Sequence, residues 1–354
     1  MGRVAPLIAG LTAALIAALS FAPAGLADTP LRQIALGLSE PNSWCITDPL
    51  PVNCPQDLNT LDSATSNYGA QPAVWSLWSD WGDKSQYSNA SFPKAQVDVL
   101  AARGIMPQIY WEPVDPSYQG FDCTNWKLTT ITRGKHDSYI RNWAKAAKAD
   151  GHTIILRFAH EMNGYWYVWG NGVCGNTARQ FRQAWKHVWT IFQNVGATNV
   201  KFEFGVLGSA NVAADYPGDA YVDYLGLTAL NWGKNHNKPW RSLVSSMSAG
   251  MTALRSLSTT KPIIVAEIGS GPDQSCTGCT KANWLTTGYP AVYSHTNWGQ
   301  VVAMIYFDYD MTAVGQPDWR LATPPTATDA YKVLLQNPWF QGTLPQLTTG
   351  QGSR

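Results

Sequence analysis

Eight short, near-continuously apolar segments recur along this chain: Gln33–Leu38, Ala73–Trp78, Met106–Trp111, Thr153–Phe158, Val200–Val206, Tyr224–Leu230, Pro262–Glu267 and Val301–Phe307. Segments apolar throughout, rather than alternating, belong to strands of a sheet covered on both faces. Amphipathic helical patterns separate several of them. Ser138–Ala149 places Tyr139, Ile140, Trp143, Ala146 and Ala147 on one face and stops at Asp150-Gly151. Thr177–Val195 repeats the pattern with Phe181, Ala184, Trp185, Val188, Trp189 and Phe192, and Ser242–Leu257 is a weaker third. Strands alternating with helices eight times match an α/β chain closed into a (β/α)8 TIM barrel better than an open doubly wound sheet. No Gly-x-Gly-x-x-Gly follows an early strand, so dinucleotide binding is disfavoured. With no internal repeat or linker, one domain over residues 28–342 is expected, followed by a polar tail at 343–354.

The N-terminal end reads as a processing signal. Arg3 precedes an apolar stretch from Leu7 to Ala24, and Ala22, Ala24, Gly25 and Ala27 follow in cleavage-site fashion. A signal peptide over residues 1–27 is therefore favoured over an uncleaved membrane anchor. No later run is long and apolar enough to span a bilayer, so a secreted, extracellular chain free of the membrane is expected, acting as a monomer. Six cysteines in an exported chain point to disulfides rather than to zinc. Lying in turn-rich sequence, they pair most simply as Cys45 with Cys54, Cys123 with Cys174, and Cys276 with Cys279. Twenty-five Lys and Arg against 24 Asp and Glu give a net charge of +1, too balanced to hold nucleic acid by field alone. The 17 Trp exceed what a core of this size needs, and flat rings with a polar edge suit sugar faces.

In such a barrel, the residues just beyond the strand C-termini build the site. Two carboxylates stand there. Thr153-Ile-Ile-Leu-Arg157-Phe-Ala-His160-Glu161-Met-Asn-Gly164 runs from the fourth strand into an Arg, a His and a Glu, and Lys261-Pro-Ile-Ile-Val-Ala-Glu267 repeats the arrangement on the seventh. Paired carboxylates are what glycoside hydrolysis needs, one protonated to release the leaving oxygen and one ionised to attack the anomeric carbon. Burial among the aromatic residues after it makes Glu161 the acid/base, and Arg157 as a nearby cation makes Glu267 the nucleophile. The two are expected to converge at roughly 5 Å. Trp166 and Trp169, in the loop Tyr165-Trp-Tyr-Val-Trp-Gly170, together with Trp111 and Trp232 at other strand ends, are candidate stacking platforms for sugar rings. Glu203 reads either as barrel-interior or as ion-paired, and Glu112 either as a substrate contact or as structurally paired. The remaining histidines show no ligand spacing, so neither a metal nor another cofactor is expected. No Gly-x-Ser-x-Gly elbow supports a serine esterase.

These residues resemble glycoside hydrolase family 26, the retaining β-mannanase-like family of the (β/α)8 clan. The resemblance runs through Trp111-Glu-Pro, Gly134-Lys-His-Asp-Ser-Tyr-Ile-Arg-Asn-Trp-Ala, Leu156-Arg-Phe-Ala-His-Glu-Met-Asn-Gly-Tyr-Trp, Tyr216-Pro-Gly-Asp-Ala-Tyr-Val-Asp, Asn231-Trp-Gly, Ala266-Glu-Ile-Gly and Asp318-Trp-Arg. It implies Glu161 as acid/base and Glu267 as nucleophile, with His160, Arg157 and Trp166 around the reacting sugar. One departure stands out. The family's strand-six Tyr, which hydrogen-bonds the nucleophile, is replaced by Leu230, so that either another group such as Tyr306 substitutes or activity is reduced. Asp308 stands where the family often has Asn. The resemblance implies a secreted retaining endo-glycosidase acting on β-1,4-mannan. The same mechanism on mixed-linkage β-1,3-1,4-glucan or xylan is the first alternative, and a carbohydrate-binding barrel without catalysis is the second.

Overall fold

The computed structural model describes residues 32–40, 58–82, 91–115, 120–208 and 212–344. The expected signal peptide and the Cys45–Cys54 pair lie outside them. The described residues form one compact unit. In chain order the elements are β1 (Ala35–Ser39), α1 (Leu58–Tyr68), β2 (Val74–Asp80), α2 (Lys94–Ala102), β3 (Met106–Glu112), α3 (Leu128–Thr132), α4 (Asp137–Asp150) and β4 (Ile154–Phe158). They continue as α5 (Ala178–Val195), β5 (Val200–Leu207), β6 (Tyr224–Asn231), α6 (Leu243–Leu257), β7 (Ile263–Ser270), α7 (Lys281–Tyr293), β8 (Val301–Phe307) and α8 (Pro325–Gln336).

All eight strands pair in parallel in sequence order, and β1 closes on β8 with Ala35 opposite Ala303 through Ser39 opposite Phe307. The barrel is therefore shut and leaves no sheet edge exposed. Strand residues alternate between two apolar layers. Ala35, Val74, Ile155, Tyr224, Ile264, Ala266, Ala303 and Ile305 pack inside the barrel. Their neighbours, such as Leu36, Ile109, Leu156, Phe202, Leu227, Val265 and Met304, face outward under the helices. Near-continuous hydrophobicity in the strands follows from this double burial. Leu344 is buried with the inner layer, so packing extends two residues past the expected domain end.

Local chemistry explains the helix limits. Thr177 and Gln180 form a reciprocal capping box at the start of α5, and Gly196, at φ 78°, ends it. Ser242 caps α6 through Ser245 N–H, and Gly151, at φ 83°, closes α4. One crossover departs from the strict alternation expected. Between β5 and β6 the described residues hold a single 3-10 turn, Asp219–Tyr221, after Pro217-Gly218. Helix α5 reaches across to cover that connection, with Trp185 Nε1 donating to the Tyr221 carbonyl at 2.9 Å and the Lys186 ammonium 4.5 Å from the Tyr221 ring centre.

Candidate active site

Glu161 follows β4 in a tight turn. Ala159 and Glu161 both take positive φ, 44° and 53°, a conformation that costs a non-glycine residue about 1–3 kcal/mol and persists only where its surroundings enforce it. Here Ala159 N–H donates to the Trp111 carbonyl at 3.2 Å and Glu161 N–H to the Gly205 carbonyl at 2.9 Å, which pins the turn to β3 and β5. Asn163 adds a two-point clamp on Leu207, its Nδ2 donating to the carbonyl and its Oδ1 accepting from the N–H, each at 3.0 Å. The turn thereby aims the Glu161 carboxyl over the mouth of the barrel.

Glu267 reaches the same place by a different device. Leu227 of β6 lies opposite Val265, but the next residue, Thr228, lies opposite Glu267, so Ala266 is an extra residue on β7. The other side of the strand agrees, since Val265 to Ile268 spans Met304 to only Tyr306. This bulge reverses the in-out phase of the strand. Ala266 is an inner-layer residue and Ile268 an outer-layer one, which leaves Glu267 facing the interior.

Arg157 lies fully buried beneath the two acids. Its Nη1 donates to Glu267 Oε1 at 2.5 Å, its Nη2 to Thr228 Oγ1 at 3.0 Å, and its Nε faces Glu203 Oε1 at 3.1 Å. Glu203 accepts from Gln108 Nε2 at 2.5 Å, and Gln108 Oε1 accepts from Ser76 Oγ at 2.8 Å. A polar column thus descends the barrel axis from Glu267 through residues of β4, β5, β3 and β2. Two glycines leave room for it. A Cβ on Gly226 would sit 2.0 Å from Glu203 Oε1, and one on Gly205 would sit 2.6 Å from Arg157 Nε. Both open readings of Glu203 therefore hold together, as it is interior and ion-paired.

The Thr228 hydroxyl lies 3.4 Å from Glu267 Oε1 and is also in hydrogen-bonding position to Glu161. Two hydrogen bonds meeting at one oxygen span roughly 6–7 Å at most, which brings the two carboxyls across a single cleft. Burial, then the Glu267 charge, raises the Glu161 carboxyl to about 7, against opposing pulls from Arg157, Thr228 and Trp166. Trp166, 40% exposed, donates its Nε1–H to Glu161 Oε2 at 3.0 Å, so one residue joins the Glu161 carboxyl to the open rim. Gly164 lies under that indole; a Cβ there would approach the ring to 2.6 Å.

Several expected contacts are corrected. Trp111 is fully buried, wedged among Trp81, Tyr139, Trp143, Phe158 and Phe192, so it belongs to the core and offers no sugar platform. Trp169 is also buried. It stacks on Tyr167 at 4.2 Å and donates to the His160 carbonyl, forming a back wall rather than a rim. His160 and Arg157 have no exposed surface to give a ligand and act through Tyr167 and Glu267 instead. His160 Nε2 pairs with the Tyr167 hydroxyl at 3.0 Å, while burial and then the Arg157 charge push its imidazole well below the usual range, leaving it neutral. Trp232 is half-buried and meets Trp319 edge-on at 5.5 Å. Tyr306 does not replace the missing strand-six hydroxyl, because it faces outward against Tyr331 and donates to the Trp319 carbonyl at 2.8 Å. Arg157 and Thr228 hold Glu267 in its place. Glu112 is buried and bonded to Asp80, opposite it on β2; burial drives Glu112 well above the carboxylate range and Asp80 up to about 6, so the two share a proton. Asp308 accepts from the Tyr68 hydroxyl and from Leu321 N–H, which ties the end of β8 to the following segment.

Thr228 was not singled out in the sequence, where it sits mid-strand in an apolar run and carries no motif. Its signal is positional, as the strand-six inward residue opposite the second glutamate. Cys123–Cys174 and Cys276–Cys279 are both bonded, and the first ties the loop after β3 to the loop after Glu161. Away from this face, Asp98, Asp150 and His152 cluster at the other end of the barrel, where Lys94 Nζ already bridges both aspartates.

Comparison with known proteins supports this picture. Residues 134–270 match glycosyl hydrolase family 26, a span that includes both glutamates. The chain is 34% identical over 253 residues to Endoglucanase H of Acetivibrio thermocellus, covering 68% of this chain and 25% of that protein. It is 23% identical over 135 residues to a Vibrio protein named β-1,3-xylanase TXYA, covering 32% of this chain and 28% of that protein. The chain spans about a quarter of the length of these curated relatives. Among solved structures, a family 26 β-mannanase from Bacteroides ovatus superposes with a TM-score of 0.63 at 16% identity, covering 91% of this chain and 95% of that one. A modular endo-β-1,4-mannanase from Cellulomonas fimi gives 0.62 at 15% identity, with 87% and 71% covered. Those structures share the closed barrel, and the matched segment places this chain in glycosyl hydrolase family 26.

Proposed function

We propose that this protein is a secreted, retaining endo-glycosidase that cleaves a β-linked hexose polysaccharide by double displacement. The observation that carries the reading is the meeting of Glu161 and Glu267 at one Thr228 hydroxyl, which sets the two carboxyls on either side of one cleft, as a double displacement needs. Glu267, charge-paired with Arg157, attacks the anomeric carbon. Glu161, protonated below about pH 7, gives its proton to the departing oxygen and then, as a base, takes one from the incoming water. Trp166 offers an exposed ring face beside the acid for the departing sugar. The two disulfides fit an oxidising, extracellular setting.

The likeness to Endoglucanase H favours β-glucan as the polymer, cut within the chain. β-1,4-Mannan is the second reading, favoured by the His-Glu-Met-Asn-Gly motif and its upstream Arg. Reducing-end release from barley mixed-linkage glucan, carboxymethylcellulose, mannan, glucomannan and xylan separates them. Release from mannan alone would reject the glucan assignment.

The mechanism is tested by Glu161→Ala and Glu267→Ala. The first is expected to lower turnover by about 10²–10⁴-fold, and the second by at least as much. Azide should rescue Glu161→Ala with a product of retained anomeric configuration and Glu267→Ala with an inverted one. Full activity of either variant removes the assignment.

A further inference from the structure

Thr228 has a hydroxyl whose hydrogen bonds are restricted by its surroundings. It is 2% exposed, on β6 between β5 and β7 and facing the barrel interior. Arg157 Nη2 donates to its oxygen at 3.0 Å, so the hydroxyl proton must point elsewhere. Two acceptors are within reach, Glu267 Oε1 at 3.4 Å and the Glu161 carboxyl. One proton serves one of them at a time.

Resting on the double-displacement reading above, we infer that Thr228 is a positioning residue whose hydroxyl turns from Glu267 to Glu161 as the negative charge moves between them, and that it chiefly supports the second half-reaction. In the free enzyme the charge is on Glu267, and the hydroxyl donates there. In the first step a Glu267 oxygen bonds the anomeric carbon, the glycosidic C–O bond breaks, and the Glu161 proton leaves with the departing oxygen. Glu267 is now a neutral ester and Glu161 a carboxylate. The hydroxyl turns to the new anion while Arg157 keeps its oxygen anchored. In the second step water gives a proton to Glu161, its oxygen bonds the anomeric carbon, and the ester C–O bond breaks. The charge returns to Glu267, and the hydroxyl returns with it.

Glu161 faces Glu267 and Arg157 directly, and Trp166 and Thr228 both donate to it. Tyr167 and Glu112 also feel its charge. Without Thr228 a buried Glu161 carboxylate loses a neutral donor, so the form needed as base is less populated and less well aimed. The first step, in which Glu161 is already protonated, does not depend on this contact.

The test uses the full chain and an aryl β-glycoside with a good leaving group, so that the second step limits turnover. For Thr228→Val, kcat is expected to fall about 10- to 100-fold, with a burst of phenol equal to the enzyme concentration. KM should fall with it, leaving kcat/KM within about threefold of the parent. Thr228→Ser should restore kcat and abolish the difference in burst. If the valine variant does not fold, as judged by its melting transition, Thr228→Ala takes its place in the same comparison. An unchanged kcat, or an equal loss in kcat and kcat/KM without a burst, overturns the inference. A separate control isolates the underlying reading: the parent enzyme treated with a 2-deoxy-2-fluoro glycoside should gain the mass of one sugar at Glu267. Absence of that adduct in the parent defeats the retaining mechanism itself, whatever the Thr228 variants show.

Discussion

In the proposed mechanism Trp166 joins recognition to proton chemistry in one side chain. Its indole N–H holds Glu161 Oε2 at 3.0 Å while its ring remains 40% exposed at the rim. That hydrogen bond favours the carboxylate, so it opposes the burial that lifts Glu161 to about 7. In the proposed mechanism Glu161 is protonated when it acts, so kcat/KM should fall on the alkaline side as pH rises through about 7. Trp166→Phe keeps an aromatic ring and removes the donor. Its expected outcome is an alkaline limb displaced to higher pH in the kcat/KM profile, with weaker binding of oligosaccharides that span the cut. A limb displaced to lower pH would contradict the assigned direction.

The bulge in β7 does for Glu267 what the strained turn does for Glu161. Deleting Ala266 should restore an uninterrupted ladder with β6 and β8 while leaving Glu267 inward, opposite Thr228, and Ile268 under the helices. The variant is expected to retain a barrel-like far-UV circular dichroism spectrum and to keep activity within about tenfold of the parent, a margin of about 1.4 kcal/mol. A loss as complete as that of Glu267→Ala would show that the bulge sets the aim of the carboxyl beyond its in-out phase. The contrast between strands and bulge shows what a sequence conveys. All eight strands, the helices α4, α5 and α6, and both strand-end glutamates could be read in advance, because continuous hydrophobicity, helical spacing and caps are local signals. The bulge could not, since it exists only relative to two neighbouring strands. Trp111 and Trp169 misled for a related reason: a tryptophan at a strand end looks the same whether it faces a cleft or a helix. Thr228, Ser76 and Gln108 were hidden because inward polar residues at one level of a barrel come from distant parts of the chain, whereas Glu203 could be read as interior or ion-paired from its own strand.

Across the whole molecule, the buried acids make stability depend on pH in a definite direction. Burial raises Glu161 to about 7, Asp80 to about 6 and Glu40 to about 9, and holds Glu112 well above its usual range. A carboxyl whose folded pKa exceeds its unfolded value takes up protons on folding. Its contribution is therefore greatest below about pH 4 and is lost as pH rises through the folded value. Asp98, Asp122, Asp310 and Asp318 are shifted downward and weaken the fold only in stronger acid. Thermal unfolding followed by calorimetry should give a higher midpoint near pH 5 than at pH 8, and the reverse order would contradict the assignment of these groups as neutral. The axial column also bears on recombination between relatives. Ser76, Gln108, Arg157, Glu203 and Glu267 form a train of fitted parts in which each fixes the next, with Gly205 and Gly226 as the clearance between them. Chimeras that exchange the outer loops leave this train whole. Those that splice between β2 and β5 would mate halves cut to different patterns, and should lose catalysis well before they lose the barrel.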